Sequence, residues 1–162
     1  MKSHLFTKTT LALALTVAAA FTNAQTAAIK VEGAWARATV PGQKGTGAFM
    51  NITAKEGTRL VGVSSPAAGV AEVHEMKMEN DIMKMRAMPG LDLPAGQIVQ
   101  LKPGGLHLML MDLKAPLMKD STVPVTLMFK DAKGVESKLD LVLPVGLAAP
   151  GAAAGKTTDH KH

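Results

Sequence analysis

Across residues 29–145 apolar and polar positions alternate with a period of two, in short runs cut by proline and glycine. Successive side chains of a strand point to opposite faces, so this period argues for half-buried strands. No amphipathic helix of ordinary length is visible. The runs predict strands at 28–40, 47–54, 59–64, 71–79, 82–87, 98–101, 107–113, 123–130 and 137–143. Breaks fall at Pro41-Gly42, Pro66, Pro89-Gly90, Pro94-Ala95-Gly96, Pro103-Gly104-Gly105, Pro116 and Ala132-Lys133-Gly134, where proline removes a ladder donor and glycine admits turn conformations. Seven to nine strands with turn signals at intervals of about 8–12 residues predict one all-β domain, a Greek-key β-sandwich or barrel. Neither an internal repeat nor a second domain is evident.

The two ends read differently. Lys2 and Lys8, an apolar run from Leu11 to Phe21, and Thr22-Asn23-Ala24 have the order of a secretory signal peptide, with cleavage expected after Ala24. That run falls well short of the roughly 20 apolar residues that span a bilayer as a helix, so a signal is preferred to a membrane anchor. Beyond residue 145 the text turns to alanine and glycine and ends Asp159-His160-Lys161-His162. Such a segment cannot build a core, and 146–162 is expected to be a disordered tail. Its His160 and His162 offer imidazole nitrogens for weak Cu(II) binding, although a solvated polar terminus is the preferred reading. The expected domains are therefore a signal peptide at 1–24, a β-domain at 25–145 and the tail.

Composition narrows the chemistry. There is no cysteine, so no disulfide supports an exported domain, and the hydrophobic core must do so. Without a thiol the chain cannot perform disulfide exchange, use a cysteine nucleophile, take a cysteine-linked lipid or build the His₂Cys centre of a blue-copper carrier. The formal charge of +5 falls to +3 once Lys2 and Lys8 leave with the signal. Trp35, Phe49 and Phe129 are the aromatic residues after Ala24, and no basic cluster accompanies them, which argues against a nucleic-acid partner.

The densest chemical signal is the spacing His74-x10-Met85-x21-His107-x-Met109. Two imidazoles and two thioethers, with no thiolate and no obligatory carboxylate, suit Cu(I), because polarizable sulfur matches a soft, singly charged metal. On a strand, His107 and Met109 share a face about 6.6 Å apart, while Leu106, Leu108 and Leu110 face the other way. A two-residue turn at Asn80-Asp81 would set Met76 opposite Met85 and Met78 opposite Met83, with His74 diagonal to Met85. Five of the eleven methionines lie between Met76 and Met88 among charged residues, so this stretch is expected to be partly exposed.

This spacing resembles the signature of the periplasmic Cu(A) chaperone family, PCu(A)C. So do Val73-His74-Glu75-Met76, Met83-Lys84-Met85-Arg86, Leu101-Lys102-Pro103-Gly104-Gly105 and Met109-Leu110-Met111-Asp112-Leu113-Lys114. The resemblance runs over about residues 31–145; Leu106 departs from it, standing where an aromatic residue is expected beside the histidine. It implies a cupredoxin-like fold and a periplasmic metallochaperone with His74, Met85, His107 and Met109 as Cu(I) ligands. It also implies delivery toward the Cu(A) subunit of cytochrome c oxidase or a thiol-bearing copper assembly protein. Copper sequestration is the alternative and shares the same site.

An enzyme finds less support: no Ser/His/Asp set or carboxylate pair stands out, and thioethers are poor zinc donors. Met76, Met78, Met83 and Met111 are candidate auxiliary donors for which packing or a neutral surface role is preferred. Met50, Met118 and Met128 are read as packing residues. Glu75 and Asp112 are candidate hydrogen-bond acceptors for the ligand histidines, a surface role being preferred. Trp35 is read as core.

Overall fold

The computed structural model describes residues 29–151, and every regular element within them is a strand. In chain order these are β1 (Ile29–Arg37), β2 (Gly45–Ala54), β3 (Thr58–Ser64), β4 (Ala68–Glu79), β5 (Ile82–Met88), β6 (Leu91–Leu93), β7 (Ile98–Leu101), β8 (Leu106–Leu113), β9 (Thr122–Asp131) and β10 (Glu136–Gly146). Nine of them coincide with the predicted runs. The exception, β6, has three residues between Pro89-Gly90 and Pro94, too few for a period to register. The expected leader, as well as His160 and His162, lies outside the described residues.

Hydrogen bonding joins the strands in the order β5-β4-β8-β2-β1-β10-β9-β3-β6, with β7 pairing the far half of β2. Each strand pair is antiparallel except β1 with β10, which join in parallel through Ala36 opposite Val145 and Arg37 opposite Gly146. Non-sequential neighbours such as β4 with β8 and β9 with β3 require connections that cross from one half of the path to the other. The path folds back on itself so that β3 meets β4 and β6 meets β2, giving two layers around one core. The fold is all-β and cupredoxin-like, as expected.

Strand alternation divides the residues between core and exterior. On β9 Val123, Val125, Leu127 and Phe129 turn inward, each at most 1% exposed, and Ile52, Leu60, Leu108 and Leu110 are fully buried against the same core. Each such side chain contributes about 1.5–3 kcal/mol of transfer free energy. Among the methionines read as packing, Met50 is core and Met128 lies half-buried against Gly62. Met118 does not pack: it is 62% exposed, because it sits in the loop before β9 and no strand alternation turns it inward.

Candidate metal centre

β4 lies between β5 and β8, and the register of these three strands assembles the predicted residues. Across β4 and β8, His74 stands directly opposite His107 and Glu72 opposite Met109; across β4 and β5, Met76 stands opposite Met85 and Met78 opposite Met83. Directly paired residues share a face of the sheet. Imidazoles and thioethers therefore gather on the side away from Leu108 and Leu110. The hairpin register follows from its turn. Asn80 and Asp81 take φ of 52° and 61°, the left-handed values of a two-residue type I′ connection that short polar side chains tolerate. His74 pairs with Ala87, which leaves it diagonal to Met85. The two imidazole rings are 5.9 Å apart. Met85, His107 and Met109, together with Met76, line a cavity of about 280 Å³. His74 is not part of that wall; it is buried beside His107.

Hydrogen bonds set the tautomers. The His107 Nδ1 lies 3.0 Å from the Gly105 carbonyl, and a carbonyl only accepts, so Nδ1 carries the proton and Nε2 keeps its lone pair. That carbonyl is placed by a turn in which Gly105 N–H bonds the Lys102 carbonyl at 3.1 Å, with Pro103 and Gly104 (φ 80°) between them. Proline followed by a glycine at positive φ is the type II arrangement. The same Gly105 oxygen accepts the Met76 N–H at 3.2 Å, tying the turn to β4. In His74 the roles reverse: Nε2 is 3.0 Å from the Glu72 carboxylate and carries the proton, while Nδ1 is buried with no hydrogen-bond partner. A buried lone pair left unpaired costs roughly 1–3 kcal/mol, so it calls for a ligand of its own.

Glu75 and Asp112, for which a surface role was the preferred reading, are not the groups that set the tautomers. Glu75 points to the opposite face of β4, opposite Arg86 and Leu106, and Asp112 sits against Gly69; neither bonds a histidine. Glu72 was legible, since it stands two residues before His74 and a period of two puts both on one face. The Gly105 carbonyl was not, because a backbone acceptor leaves no mark on composition. Leu106, instead of adding an aromatic contact, packs half-buried against the core.

Trp35 is buried but belongs to this outer face rather than to the core cluster. Its ring lies 4.9 Å from that of Phe49, and Phe49 lies 6.4 Å from His107, so an aromatic wall flanks the imidazoles. Gly47 makes the wall possible: a Cβ there would meet the Phe49 ring at 2.7 Å. The run Gly45-Thr46-Gly47-Ala48-Phe49 carried this signal, both glycines and the phenylalanine falling on one face.

The donors on this face are neutral, and the cavity wall includes Arg37, whose guanidinium lies 5.5 Å over the Phe49 ring, but no carboxylate. Sulfur and imidazole nitrogen, with no carboxylate in the cavity wall, suit a soft, singly charged ion better than a hard divalent one. Among the described residues no group of three or more His, Cys, Asp and Glu side chains is placed to hold a metal, which leaves this mixed set as the candidate centre.

Fold and face together define a class: a cupredoxin-like β-domain with an imidazole and thioether cluster on one sheet face. Within it, the chain belongs to the LpqE-like family, whose model, described as "Putative lipoprotein LpqE-like", matches residues 29–141. It is 40% identical over 106 residues to the "Putative lipoprotein Lxx21020" of Leifsonia xyli subsp. xyli, a match covering 64% of this chain and 63% of that protein. The chain thus spans less than two thirds of that relative's length. Among solved structures it is similar to the copper-bound PCuAC domain from PmoF2, with a TM-score of 0.57 and 25% identity over 74% of this chain and 93% of that one. It is also similar to the Cu(I) form of DR1885 from Deinococcus radiodurans, with a TM-score of 0.55 and 31% identity over 70% of this chain and 75% of that one.

Proposed function

We propose that this protein is an exported, non-enzymatic carrier whose cargo is Cu(I), held by His74, Met85, His107 and Met109 in the periplasm and passed toward the Cu(A) site of cytochrome c oxidase. The reading rests above all on the buried, unpartnered Nδ1 of His74 next to His107 and the two thioethers. Those residues fit the ion: two imidazole lone pairs left free by their hydrogen bonds, and two thioethers on the same face of the sheet. Likeness to a copper-bound PCuAC domain and to a Cu(I) form of DR1885 supports copper as the cargo. Membership in a family named for lipoproteins supports export to the cell envelope, with residues 1–24 as the leader; these 162 residues contain no cysteine for a lipid to occupy.

Met85 is half exposed, whereas the histidines are buried. An acceptor approaching from solvent meets the thioether first, so a thiolate of the acceptor displaces Met85 before the imidazoles let go. Copper stays Cu(I) throughout, and only metal–ligand bonds exchange. The function is tested by mixing the Cu(I)-loaded protein with the apo Cu(A) domain of the oxidase, with and without a thiol-bearing assembly protein. Copper appearing on the Cu(A) domain in either mixture is the expected result. Copper that stays on this chain in both would turn the assignment to sequestration.

Glu72 holds the proton on the far nitrogen of His74 and is itself partly solvated. Groups that orient a ligand histidine in this way typically contribute 10–100-fold to metal affinity, and the exposure of Glu72 places Glu72→Ala near the lower end, about tenfold weaker for Cu(I). Competition against a Cu(I) chelator measures it. Unchanged affinity would mean that His74 needs no orienting carboxylate.

A further inference from the structure

The β4–β5 hairpin carries more sulfur than a single centre uses. Met76 and Met78 on β4 and Met83 and Met85 on β5 fall at every second position, and the turn register sets them on one face as two facing pairs. Met78, Met83 and Met85 are 58%, 45% and 50% exposed, and none of the three belongs to the core cluster. Full burial would stabilise each by about 1.5–3 kcal/mol, so the fold forgoes that gain by leaving them in solvent. The charged residues occupy the other face, where Glu79 is taken up by Lys84 at 3.2 Å and Arg86 at 2.5 Å. One side of the hairpin is thus an ion-paired surface and the other a bare thioether surface.

We propose that Met76, Met78 and Met83 form a second Cu(I) site at the end of this hairpin, a landing position for copper on its way to the centre between β4 and β8. The inference deepens the carrier reading and rests on it. Directly opposed residues have Cβ atoms about 4.5–5.5 Å apart, and Met76 stands two residues from Met78 along the same face, so three flexible thioethers can close on one ion. No imidazole or carboxylate contributes, which excludes the hard cations and Cu(II) and leaves soft monovalent ions. Met76 is the link: it lines the cavity of the main centre with Met85, His107 and Met109, whereas Met78 and Met83 stand outside it. An ion on the outer three is about one two-residue strand step, roughly 6.6 Å, from the inner site. Transfer inward exchanges neutral thioethers for thioethers and imidazoles, with no electron or proton to move.

The test is an anaerobic titration of the full chain, labelled at its methionine methyl groups, with Cu(I) and separately with Ag(I), a redox-inert soft ion. The first equivalent is expected to shift Met85 and Met109, and a second, bound on the order of 100-fold more weakly for lack of imidazole donors, to shift Met78 and Met83. Met78→Leu/Met83→Leu keeps volume and apolar character at exposed positions; it should lose the second equivalent and hold the first within threefold, the affinity estimated by the same chelator competition. Saturation at one equivalent with the Met78 and Met83 methyls unmoved would overturn the proposal, as would a leucine variant that still takes two. Shifts at Met78 and Met83 with Met109 and the His107 ring signals unmoved would sustain the hairpin site and overturn the main centre instead.

Discussion

The Met85→Ala/Met109→Ala double variant is expected to fold like the parent and to bind Cu(I) more than about 100-fold more weakly, beyond what loss of a group that merely orients a ligand costs. Both residues lie on the outer face of the sheet, Met85 is half exposed, and Met109 stands opposite Glu72 and Gly47 rather than in the core. Their truncation removes no core packing, and substitutions away from such features usually change stability by no more than about 0.5 kcal/mol. What disappears is half of the soft donor set. The remaining pair, His74 and His107, is an imidazole set that no longer prefers Cu(I), so affinity falls and discrimination against Zn(II) and Cu(II) falls with it. Competition titrations with Cu(I), Zn(II) and Cu(II) measure both effects, and X-ray absorption reads the ligands, the parent showing sulfur and nitrogen around copper and the variant nitrogen without sulfur. A double variant that binds Cu(I) as the parent does would remove the two thioethers from the site.

How far the sequence showed this arrangement depends on the kind of interaction. Period-two alternation located β8 and separated His107 and Met109 from Leu108 and Leu110, because a strand's faces are written directly in its residue order. Asn80-Asp81 revealed the hairpin register for a local reason too: a two-residue connection at positive φ leaves one pairing. The meeting of His74 with His107 was a different matter, since β4 and β8 are separated by three intervening strands, and pairing between distant segments has no local signature. The resemblance to a known spacing, rather than periodicity, brought those two histidines together. Backbone acceptors leave no trace in the residue order, so the Gly105 carbonyl that orients His107 was not legible there. Trp35 is buried as expected, but its place beside Phe49 on the outer face was not legible, because β1 pairs with β2 through an irregularity between Glu32 and Trp35 and simple alternation loses count before reaching it.

Leu108→Ala is expected to give the opposite result from the methionine variant: severe loss of stability with the copper site intact in every molecule that stays folded. Leu108 is fully buried in the core, between His107 and Met109 in sequence but on the other face of β8. A leucine-to-alanine change at such a position costs about 2–5 kcal/mol through lost transfer energy and the cavity left behind. Against a total stability of roughly 5–15 kcal/mol this lowers the melting temperature by on the order of 10 °C or more. A metal that binds only the folded state offsets part of that loss: free Cu(I) at 100 times its dissociation constant adds about 2.7 kcal/mol. Thermal unfolding with and without Cu(I) therefore separates the two faces of one strand. Cu(I) should raise the melting temperature of the parent and of Leu108→Ala by similar free energies, and leave that of Met85→Ala/Met109→Ala nearly where it was. If copper failed to stabilise Leu108→Ala while stabilising the parent, the donor face would depend on core packing beneath it, and the division of β8 into a structural side and a binding side would not hold.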